Sequence, residues 1–308
     1  MFERSRELSS WLIILQNKIC KGLQELDGKS EFSEDKWERQ EGGGGISRVI
    51  ADGNIFEKGG VNFSHVFGKT PAFLAQETTL FKAHDNPDQD NTFSATGVSI
   101  VIHPQNPFVP IIHMNIRFFE MSNGTYWFGG GIDLTPHYFS EDVHEFFHHE
   151  LKKMCNIHHD KFYHQFSKWA DEYFFITHRG ESRGIGGIFF DRLSETNELK
   201  FDKIQEFWKS TGELFLPLYM AIVNHSKNKK YTAENKQWQM LRRGRYVEFN
   251  LVYDRGTKFG LETGGRIESI LMSLPKHASW FYDFKPEEGS PEEKTLKWLK
   301  RKDNRIID

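Results

Sequence analysis

Apolar side chains recur at three- and four-residue steps through the first thirty residues of the chain, and polar side chains fill most positions between them. This spacing places the apolar side chains on one face of an α-helix. It predicts an amphipathic helix over about residues 1–30 whose apolar face packs against a core. The side chains that carry the pattern are Leu8, Trp11, Leu12, Leu15, Ile19, Leu23 and Leu26.

Between Gly45 and about Asp133 the pattern changes to short β-branched and aromatic runs separated by turn residues, and such runs predict β-strands. Asn123-Gly124 lies between the last two runs and predicts a hairpin turn. The preceding run Gly42–Gly45 predicts a flexible hinge or loop, and it is not a P-loop because no Lys-Ser/Thr follows it. The predicted strands are Ser47–Ala51, Phe56–Val66, Gly97–His103, Ile111–Glu120 and Tyr126–Asp133.

Helical spacing returns after these strands and then alternates with strand-like segments. The predicted helical segments are about Ser140–His178, about Phe201–Asn224 and Arg266–Ser273, and the predicted further strands are Arg245–Tyr253 and Lys258–Leu261. Ser290 followed by Pro291 predicts the start of a last helix, because these residue types favour a helix N-terminus. Hairpin-linked strands, then helices, then further strands predict a single α+β domain over residues 1–308 with a large antiparallel sheet.

The composition is that of a folded protein, with 38% hydrophobic and 27% charged residues. The formal net charge is −3. This charge argues against a general nucleic-acid binder, because no basic surface is expected. Aromatic residues make up 15% of the chain, which favours a large core and also a pocket for a flat, hydrophobic ligand.

Only two cysteines, Cys20 and Cys155, are present, too few for a disulfide framework or a Cys-rich zinc or iron–sulfur site. They fit a reducing compartment, so we expect a cytoplasmic protein. The longest apolar runs, such as Trp11–Leu15, are far shorter than the ~20 residues of a membrane-spanning helix, so no integral membrane segment is expected. Glu3 and Glu7 argue against a transit peptide.

The segment Ile111–Glu120 separates apolar from polar side chains by strict alternation. Its apolar face carries Ile112, Met114, Ile116 and Phe118, and its polar face carries His113, Asn115 and Arg117. The apolar face should meet helices. An imidazole, an amide and a guanidinium aligned on one strand face indicate a candidate site, and the alternative is a polar face turned to solvent.

The predicted hairpin brings an acid to this polar face. If the turn centres on Asn123-Gly124, position 114 lies roughly opposite position 133, and Asp133 comes near the polar face, although a shift of one residue would reverse its orientation. The glycines Gly129–Gly131 precede it and weaken a strand. They indicate either a flat ring lying against the backbone or a β-bulge.

A short motif on a predicted helix matches H-E-x-x-H with His144, Glu145 and His148, which could form a zinc hydrolase site. The following residues His149 and Glu150 are polar, and no third ligand stands at a recognisable spacing. Two further interpretations remain open, a solvated helix face and a histidine that reaches a site elsewhere.

Arginine and glycine occur together in three segments. They are His178–Gly187, which contains Arg179 and Arg183, then Arg242-Arg243-Gly244-Arg245, and Gly264-Gly265-Arg266. Guanidinium groups among glycines suit close contact with carboxylates, so the three segments favour a ligand that carries several carboxylates. The alternative is ordinary ion pairing with the 43 acidic residues of the chain.

Several blocks of about eight residues or more resemble the oxygen-dependent coproporphyrinogen III oxidase family. They are Phe56–Ser64, His113–Glu120, Trp127–Pro136, His178–Asp191 and Leu241–Pro275. The resemblance runs from about residue 10 to about residue 300. It implies a large antiparallel sheet flanked on both sides by helices, and a homodimer whose dimer-forming region is about residues 246–281.

The resemblance also implies the reaction. Family members convert the 2- and 4-propionates of coproporphyrinogen III to vinyl groups and release protoporphyrinogen IX, carbon dioxide and hydrogen peroxide in haem biosynthesis. Dioxygen is the co-substrate, and no organic cofactor is expected. The alternatives are the zinc hydrolase and a non-catalytic tetrapyrrole binder.

The matching positions take family roles by this resemblance. His113 is expected to be the proton donor, and Asp133 to hold and deprotonate the pyrrole N–H groups. The expected substrate contacts are Ser99, Asn115, Ile116, Arg117, Gly264, Gly265 and Arg266. Some members are assigned a divalent metal on histidines that correspond to His103, His113, His148 and His178, and others work without metal. Our hypothesis is that Asp133, near Arg117, removes a pyrrole proton so that the ring reacts directly with dioxygen.

Overall fold

The structure is a computed structural model of the chain, and it describes residues 2–70, 92–262 and 265–300. The described residues form a central antiparallel sheet in which β1 to β6 lie side by side in chain order and β9 pairs with β6. Its strands are β1 (Ser33–Glu38), β2 (Gly43–Ala51), β3 (Phe56–Lys69), β4 (Thr92–Pro104), β5 (Ile111–Met121), β6 (Tyr126–Thr135) and β9 (Gly187–Leu193). A small second sheet pairs β7 (Phe175–Ile176) with β8 (Glu181–Ser182).

Helices cover both faces of the central sheet, as the α+β prediction requires. The described helices are α1 (Glu3–Asp27), α2 (Glu141–His158), α3 (Phe162–Tyr173), α4 (Phe201–Ser226), α5 (Ala233–Val252), α6 (Arg255–Glu262), α7 (Ile267–Leu271) and α8 (Pro291–Leu299). Helices α1 and α4 pack against one face, and Tyr246 of α5 packs on Val101 and Ile111 on the other. Within the described residues, no helix combines the length and the apolarity that crossing a bilayer requires.

The predicted alternation along β5 is confirmed and defines the main core. Ile112, Met114, Ile116 and Phe118 are fully buried, and they join a core that includes the apolar face of α1. Burial of each such side chain stabilises the fold by about 1.5–3 kcal/mol. The core therefore fixes which face of β5 points inward, and the polar side chains are left on the opposite face.

The hairpin between β5 and β6 differs by one residue from the predicted register. Its loop contains three residues, because the Met121 N–H donates to the Thr125 carbonyl over 2.8 Å and Gly124 takes a left-handed conformation with φ 85°. His113 rather than Met114 therefore pairs with Asp133. Paired residues share a face, so Asp133 lies on the polar face of β5.

The strands predicted over Arg245–Tyr253 and Lys258–Leu261 are wrong, because the structure places both segments in the helices α5 and α6. A capping box between Thr232 and Asn235 starts α5 well before the strand-like segment. Buried side chains then follow at helical spacing, and Tyr246, Phe249 and Asn250 belong to this buried face. Packing on the sheet outweighs the β-propensity of the aromatic and β-branched residues here.

Other boundaries also differ from the prediction. Strand β1 was not predicted because it is an edge strand with almost entirely exposed side chains, and no strand was predicted over β9, which begins where the glycine-bearing segment His178–Gly187 ends. The predicted loop Gly42–Gly45 largely belongs to β2, which begins at Gly43. The last helix is confirmed, since the Glu293 N–H donates to Ser290 Oγ over 3.1 Å and Pro291 is its first residue.

A buried carboxylate joins the end of α1 to the turn between β2 and β3. Asp27 Oδ1 accepts hydrogen bonds from the backbone N–H groups of Ser30 and Asn54, and Oδ2 accepts those of Ile55 and Phe56 at 2.8 and 3.0 Å. Burial alone would raise the pKa of Asp27, but these N–H groups hold it below its ordinary value. The carboxylate therefore stays ionised and fixes the helix to the sheet.

We expect Asp27→Ala to lower the free energy of unfolding by about 3 kcal/mol, because five backbone N–H groups, that of Lys29 included, lose their acceptor. Urea unfolding followed by circular dichroism measures the change, and the exposed Asp160→Ala serves as control. Because the folded-state pKa of Asp27 is depressed, its stabilising contribution is lost as the pH falls. The wild type should therefore lose more stability than D27A on acidification, and equal losses would contradict this role.

Candidate active site

The face of the sheet opposite the main core is polar and half-buried along its middle strands. The register places Ser47 of β2, Asn62 of β3, Ser99 of β4 and Asn115 of β5 side by side. We call these four residues the polar row. Asn62, Ser99 and Asn115 remain partly open to solvent, so a ligand can reach them from this face.

A buried ionic centre lies next to the polar row, and we call Asp133, His113 and Arg183 the Asp133 centre. His113 Nδ1 lies 2.6 Å from Asp133 Oδ1, and Arg183 donates to Asp133 Oδ2 over 2.7 Å. The side chains of Asp133 and Arg183 are each 2% exposed, whereas that of His113 is 20% exposed. The imidazole is therefore the member of this centre that a ligand can touch.

The surroundings of Arg183 keep its charge next to Asp133. Its guanidinium lies 4.3–4.7 Å from the ring centroids of Phe174, Tyr246 and Phe249, and it also donates to Asn250 Oδ1 over 3.0 Å. Burial alone would raise the pKa of Asp133, but the charges of Arg183 and then His113, with their hydrogen bonds, bring it below its ordinary value. Asp133 is thus an anion at neutral pH.

Arg117 does not pair with Asp133, contrary to the expectation from the sequence. Its guanidinium donates to Asp191 Oδ1 over 2.7 Å and to Asn115 Oδ1 over 2.8 Å. The difference arises because Arg117 stands opposite Gly129, four residues along β6 from Asp133. Arg183, from a loop 50 residues further along the chain, takes the expected place beside the acid.

The protein's own atoms account for the three glycines before Asp133. A Cβ at Gly129 would lie 2.8 Å from Arg117 Nε and from Asp191 Oδ1, and one at Gly130 would lie 2.8 Å from the Asn115 carbonyl oxygen. The pairing of β6 with β9 also shifts register between Phe128 and Gly130. Of the two interpretations of the glycines, the structure favours a β-bulge over a flat ring against the backbone. The missing side chains also leave room for Arg117 to lie against β6.

The other expected substrate contacts have different positions. The side chain of Ile116 is fully buried in the main core, so only its backbone belongs to the polar face. Arg266 forms an ion pair with Asp35, and the Gly265 N–H donates to the Gly260 carbonyl over 2.7 Å. Gly264 lies outside the described residues.

Residues 265–275, which we call the wall segment, border the polar face on the side of β2 and β3. Ser273 and Leu274 use their carbonyl oxygens to accept hydrogen bonds of 2.8 Å from His103 Nε2 and Lys58 Nζ. Met272 lies over Gly60, where a Cβ would be 2.9 Å from its sulfur. Ser269 Oγ lies 2.7 Å from Ser47 Oγ, which links the segment to the polar row.

Most arginines of the three predicted segments form ion pairs within the protein. Arg242 donates to Glu181 over 2.6 Å, Arg243 pairs with Glu57, and Arg245 donates to Glu248 over 2.9 Å. The guanidinium of Arg179 also binds Glu248 through two hydrogen bonds. For these four arginines the structure therefore favours ordinary ion pairing over binding of a carboxylate ligand. Arg117, by contrast, borders the polar row.

The four histidines of the expected metal site do not come together. Both ring nitrogens of His148 have protein partners, the hydroxyl of Tyr163 and the carbonyl of Ile185 at 3.0 and 2.8 Å. His178 is held likewise by Tyr253 and Glu248 at 2.7 Å each, and His103 and His113 bind separate partners. Within the described ranges, no group of three or more His, Cys, Asp or Glu side chains could hold a metal ion. These residues therefore do not fit a divalent metal.

The H-E-x-x-H motif lies along an open groove of about 1100 Å³ beside α2 and α8. His144 and His148 have ring centroids 4.6 Å apart, and burial lowers their pKa values to about 4 and about 3. Glu145 is exposed. Both ring nitrogens of His148 already have hydrogen-bond partners within the protein. The motif therefore does not form the zinc hydrolase site.

Three residues of the site were not singled out from the sequence, Ser47, Asn62 and Asp191. Asp191, which holds Arg117, lies within β9, where no strand was predicted. Asn62, in the polar row, lies within a block that resembles the family, but no single-sequence pattern distinguishes it. Knowledge of the register between β3 and β4 would have identified Asn62 as a site residue, because it stands opposite Ser99.

A polar sheet face with amides, a hydroxyl and a guanidinium lies beside a buried carboxylate that holds a half-buried imidazole. Chemically, such groups can bind an acidic ligand and exchange a proton with it. The comparison with family models agrees. Residues 7–305 match the model described as coproporphyrinogen III oxidase, so the chain belongs to this family of haem-biosynthesis oxidoreductases.

We expect the Asp133–Arg183 pair to show strong coupling in a double-mutant cycle. Arg183→Leu and Asp133→Asn should each lower the free energy of unfolding by about 3–5 kcal/mol, because each leaves a buried polar or charged partner unpaired. The double variant should lose clearly less than the sum in urea unfolding. The exposed pair Lys203–Glu206 is the control and should show no measurable coupling. Additive losses at Asp133 and Arg183 would contradict the buried pair.

Proposed function

We propose that the chain catalyses the oxygen-dependent decarboxylation of the 2- and 4-propionates of coproporphyrinogen III to vinyl groups, giving protoporphyrinogen IX. For each propionate, one carboxylate, one dioxygen and one proton give one vinyl group, one carbon dioxide and one hydrogen peroxide. The electron pair of the broken carbon–carboxylate bond becomes the vinyl π bond. The pair of one C–H bond next to the ring reduces dioxygen, and solvent supplies the remaining proton.

The observation that carries this proposal is the position of the Asp133 centre beside the open polar row. The family gives the substrate class, and the site offers both groups that the reaction needs. Amides and a guanidinium suit the carboxylates of the substrate, and the half-buried imidazole suits proton exchange with the ring. The fully buried Asp133 and Arg183 lie behind that imidazole.

The geometry favours His113 over Asp133 as the group that exchanges a proton with the pyrrole N–H. Both oxygens of Asp133 have protein partners and its side chain is 2% exposed. An ionised carboxylate only accepts hydrogen bonds, so His113 Nδ1 donates and leaves Nε2 for the substrate. We therefore assign proton transfer to His113, while Asp133 orients the ring and stabilises its cation.

Dioxygen is the proposed electron acceptor for two reasons. The chain has only two cysteines, and both are buried free thiols, so the thiolate set of an iron–sulfur cluster is missing. The sequence also carries no dinucleotide fingerprint. The electron balance closes with dioxygen alone, and we propose that no organic cofactor and no metal takes part.

We also propose a homodimer formed through about residues 246–281. Large apolar side chains of this region are exposed, and an exposed apolar patch indicates a protein contact. They are Leu251, Val252, Leu261, Ile267, Trp280 and Phe281. The buried, unpaired cysteines support a reducing, cytoplasmic location.

The purified protein should convert coproporphyrinogen III in air and not under nitrogen. Oxygen uptake, carbon dioxide release and peroxide formation should each reach two equivalents per protoporphyrinogen IX. An oxygen electrode, a peroxide assay and chromatography of the oxidised porphyrins measure these quantities. Turnover under nitrogen with a nicotinamide acceptor would contradict oxygen dependence, and binding without peroxide would indicate the non-catalytic tetrapyrrole binder.

Asp133→Asn should lower kcat by at least about 100-fold, because the neutral amide no longer fixes the His113 tautomer or stabilises its cation. Glu145→Ala is the matched control, since this carboxylate belongs to the zinc hydrolase alternative and should not affect oxidation. Steady-state rates of both variants, with circular dichroism to confirm folding, make the comparison. Near-normal turnover of a folded D133N would remove Asp133 from the mechanism.

A further inference from the structure

A second amide faces the same open surface as Asn115, on the other side of Ser99. Asn62 of β3 pairs with Ser99 of β4, and Ser99 pairs with Asn115 of β5. Directly paired residues have Cβ atoms roughly 5 Å apart. The three side chains therefore form a line across three strands, and all three are half-buried rather than covered.

The orientation of the Asn62 amide follows from a chain of hydrogen bonds. Trp37 Nε1, which can only donate, donates to Ser47 Oγ over 3.1 Å. Ser47 in turn donates its hydroxyl proton to Asn62 Oδ1 over 2.9 Å, and Ser269 then donates to Ser47. The Asn62 oxygen is thereby occupied, and its NH2 group is the part left for a ligand.

The amide of Asn115 is oriented in the same way by a different donor. Arg117, which also can only donate, donates to Asn115 Oδ1 over 2.8 Å. Within the described residues, neither Asn62 Nδ2 nor Asn115 Nδ2 has a hydrogen-bond partner. Two NH2 groups thus flank the Ser99 hydroxyl. In each amide, a hydrogen bond donated to the oxygen, by Ser47 or by Arg117, sets the orientation of the NH2 group.

We propose that Asn62 is a further substrate-binding residue, which together with Ser99 and Asn115 binds one propionate carboxylate through N–H and O–H donors. The identity of the ligand rests on the function proposed above. A carboxylate accepts several hydrogen bonds at once, and no acidic side chain stands in the polar row to repel it. Arg117 lies two pairs further along the strands on the same face, where Asp191 holds its guanidinium.

Ser47 and Trp37 are positioning residues in this arrangement. They do not reach the ligand, but they determine which end of the Asn62 amide faces it. Ser269 belongs to the wall segment, so the same hydrogen bonds that orient Asn62 also hold this segment against β2.

The test uses binding rather than turnover, so that it does not depend on the oxidation. Coproporphyrin III, the unreactive oxidised form, and its tetramethyl ester are titrated in the same detergent-containing buffer, and porphyrin fluorescence gives both Kd values. Asn62→Ala should weaken binding of the tetra-acid about tenfold, the usual effect of one hydrogen bond to a charged group. Binding of the ester, which carries no carboxylate charge, should stay unchanged.

Two further variants complete the design. Asn62→Asp keeps an oxygen for Ser47 but replaces the NH2 group with a negative charge, so it should weaken acid binding more than N62A does. Asn17→Ala, an exposed asparagine on α1 behind the sheet, is the matched control and should bind both porphyrins normally.

Equal loss of affinity for acid and ester would overturn the proposal, because it would indicate a structural role for Asn62. Unchanged affinity of N62D for the acid would overturn it as well. Failure of the proposed function looks different, since the wild type would then bind coproporphyrin III but not oxidise coproporphyrinogen III in air.

Discussion

The buried ion pair between Asp133 and Arg183 is the interaction on which the rest of the site depends. Two opposite charges buried in the interior are stable only when they pair with each other and when further hydrogen bonds occupy their remaining donors and acceptors. Here His113 and Asn250 are those further partners, so the pair ties β6 and β5 to the loop before β9 and to α5. Of the three members of this centre, the His113 imidazole is the one that reaches the boundary between the interior and the open face. Stability and proton chemistry therefore share one set of contacts.

The antiparallel sheet gathers the candidate site from distant parts of the chain. Ser47, Asn62, Ser99 and Asn115 come from four strands, yet the register places them in one line. This follows from the alternation of side chains along each strand. When one residue is buried in the core, the next residue along the strand must point to the opposite face, where the site lies. Met114 and Ile116 are examples, since their burial sets the direction of Asn115 between them.

The sequence allowed the local features to be predicted, and the long-range partners less well. Alternation identified β5, its buried face and the polar face with His113, and helical spacing identified α1, because these signals lie within one element. The predicted hairpin register differs from the observed one by one residue, because the loop contains three residues rather than two. The partner of Asp133 was misassigned to Arg117, because no local pattern says that a loop 50 residues away returns to β6. Helix α5 was mistaken for a strand because its packing on Val101 and Ile111, rather than its propensity, decides its structure.

The attachment of the wall segment has a consequence for how the protein can vary. Ser273 and Leu274 hold it to His103 and Lys58 through main-chain carbonyl oxygens, which every amino acid carries. Substitutions at these two positions thus keep the anchor. The side chains of Ser273 and Leu274 can therefore change without loss of these two hydrogen bonds, whereas His103 and Lys58 supply their donors from side chains and cannot be replaced by residues that lack a donor.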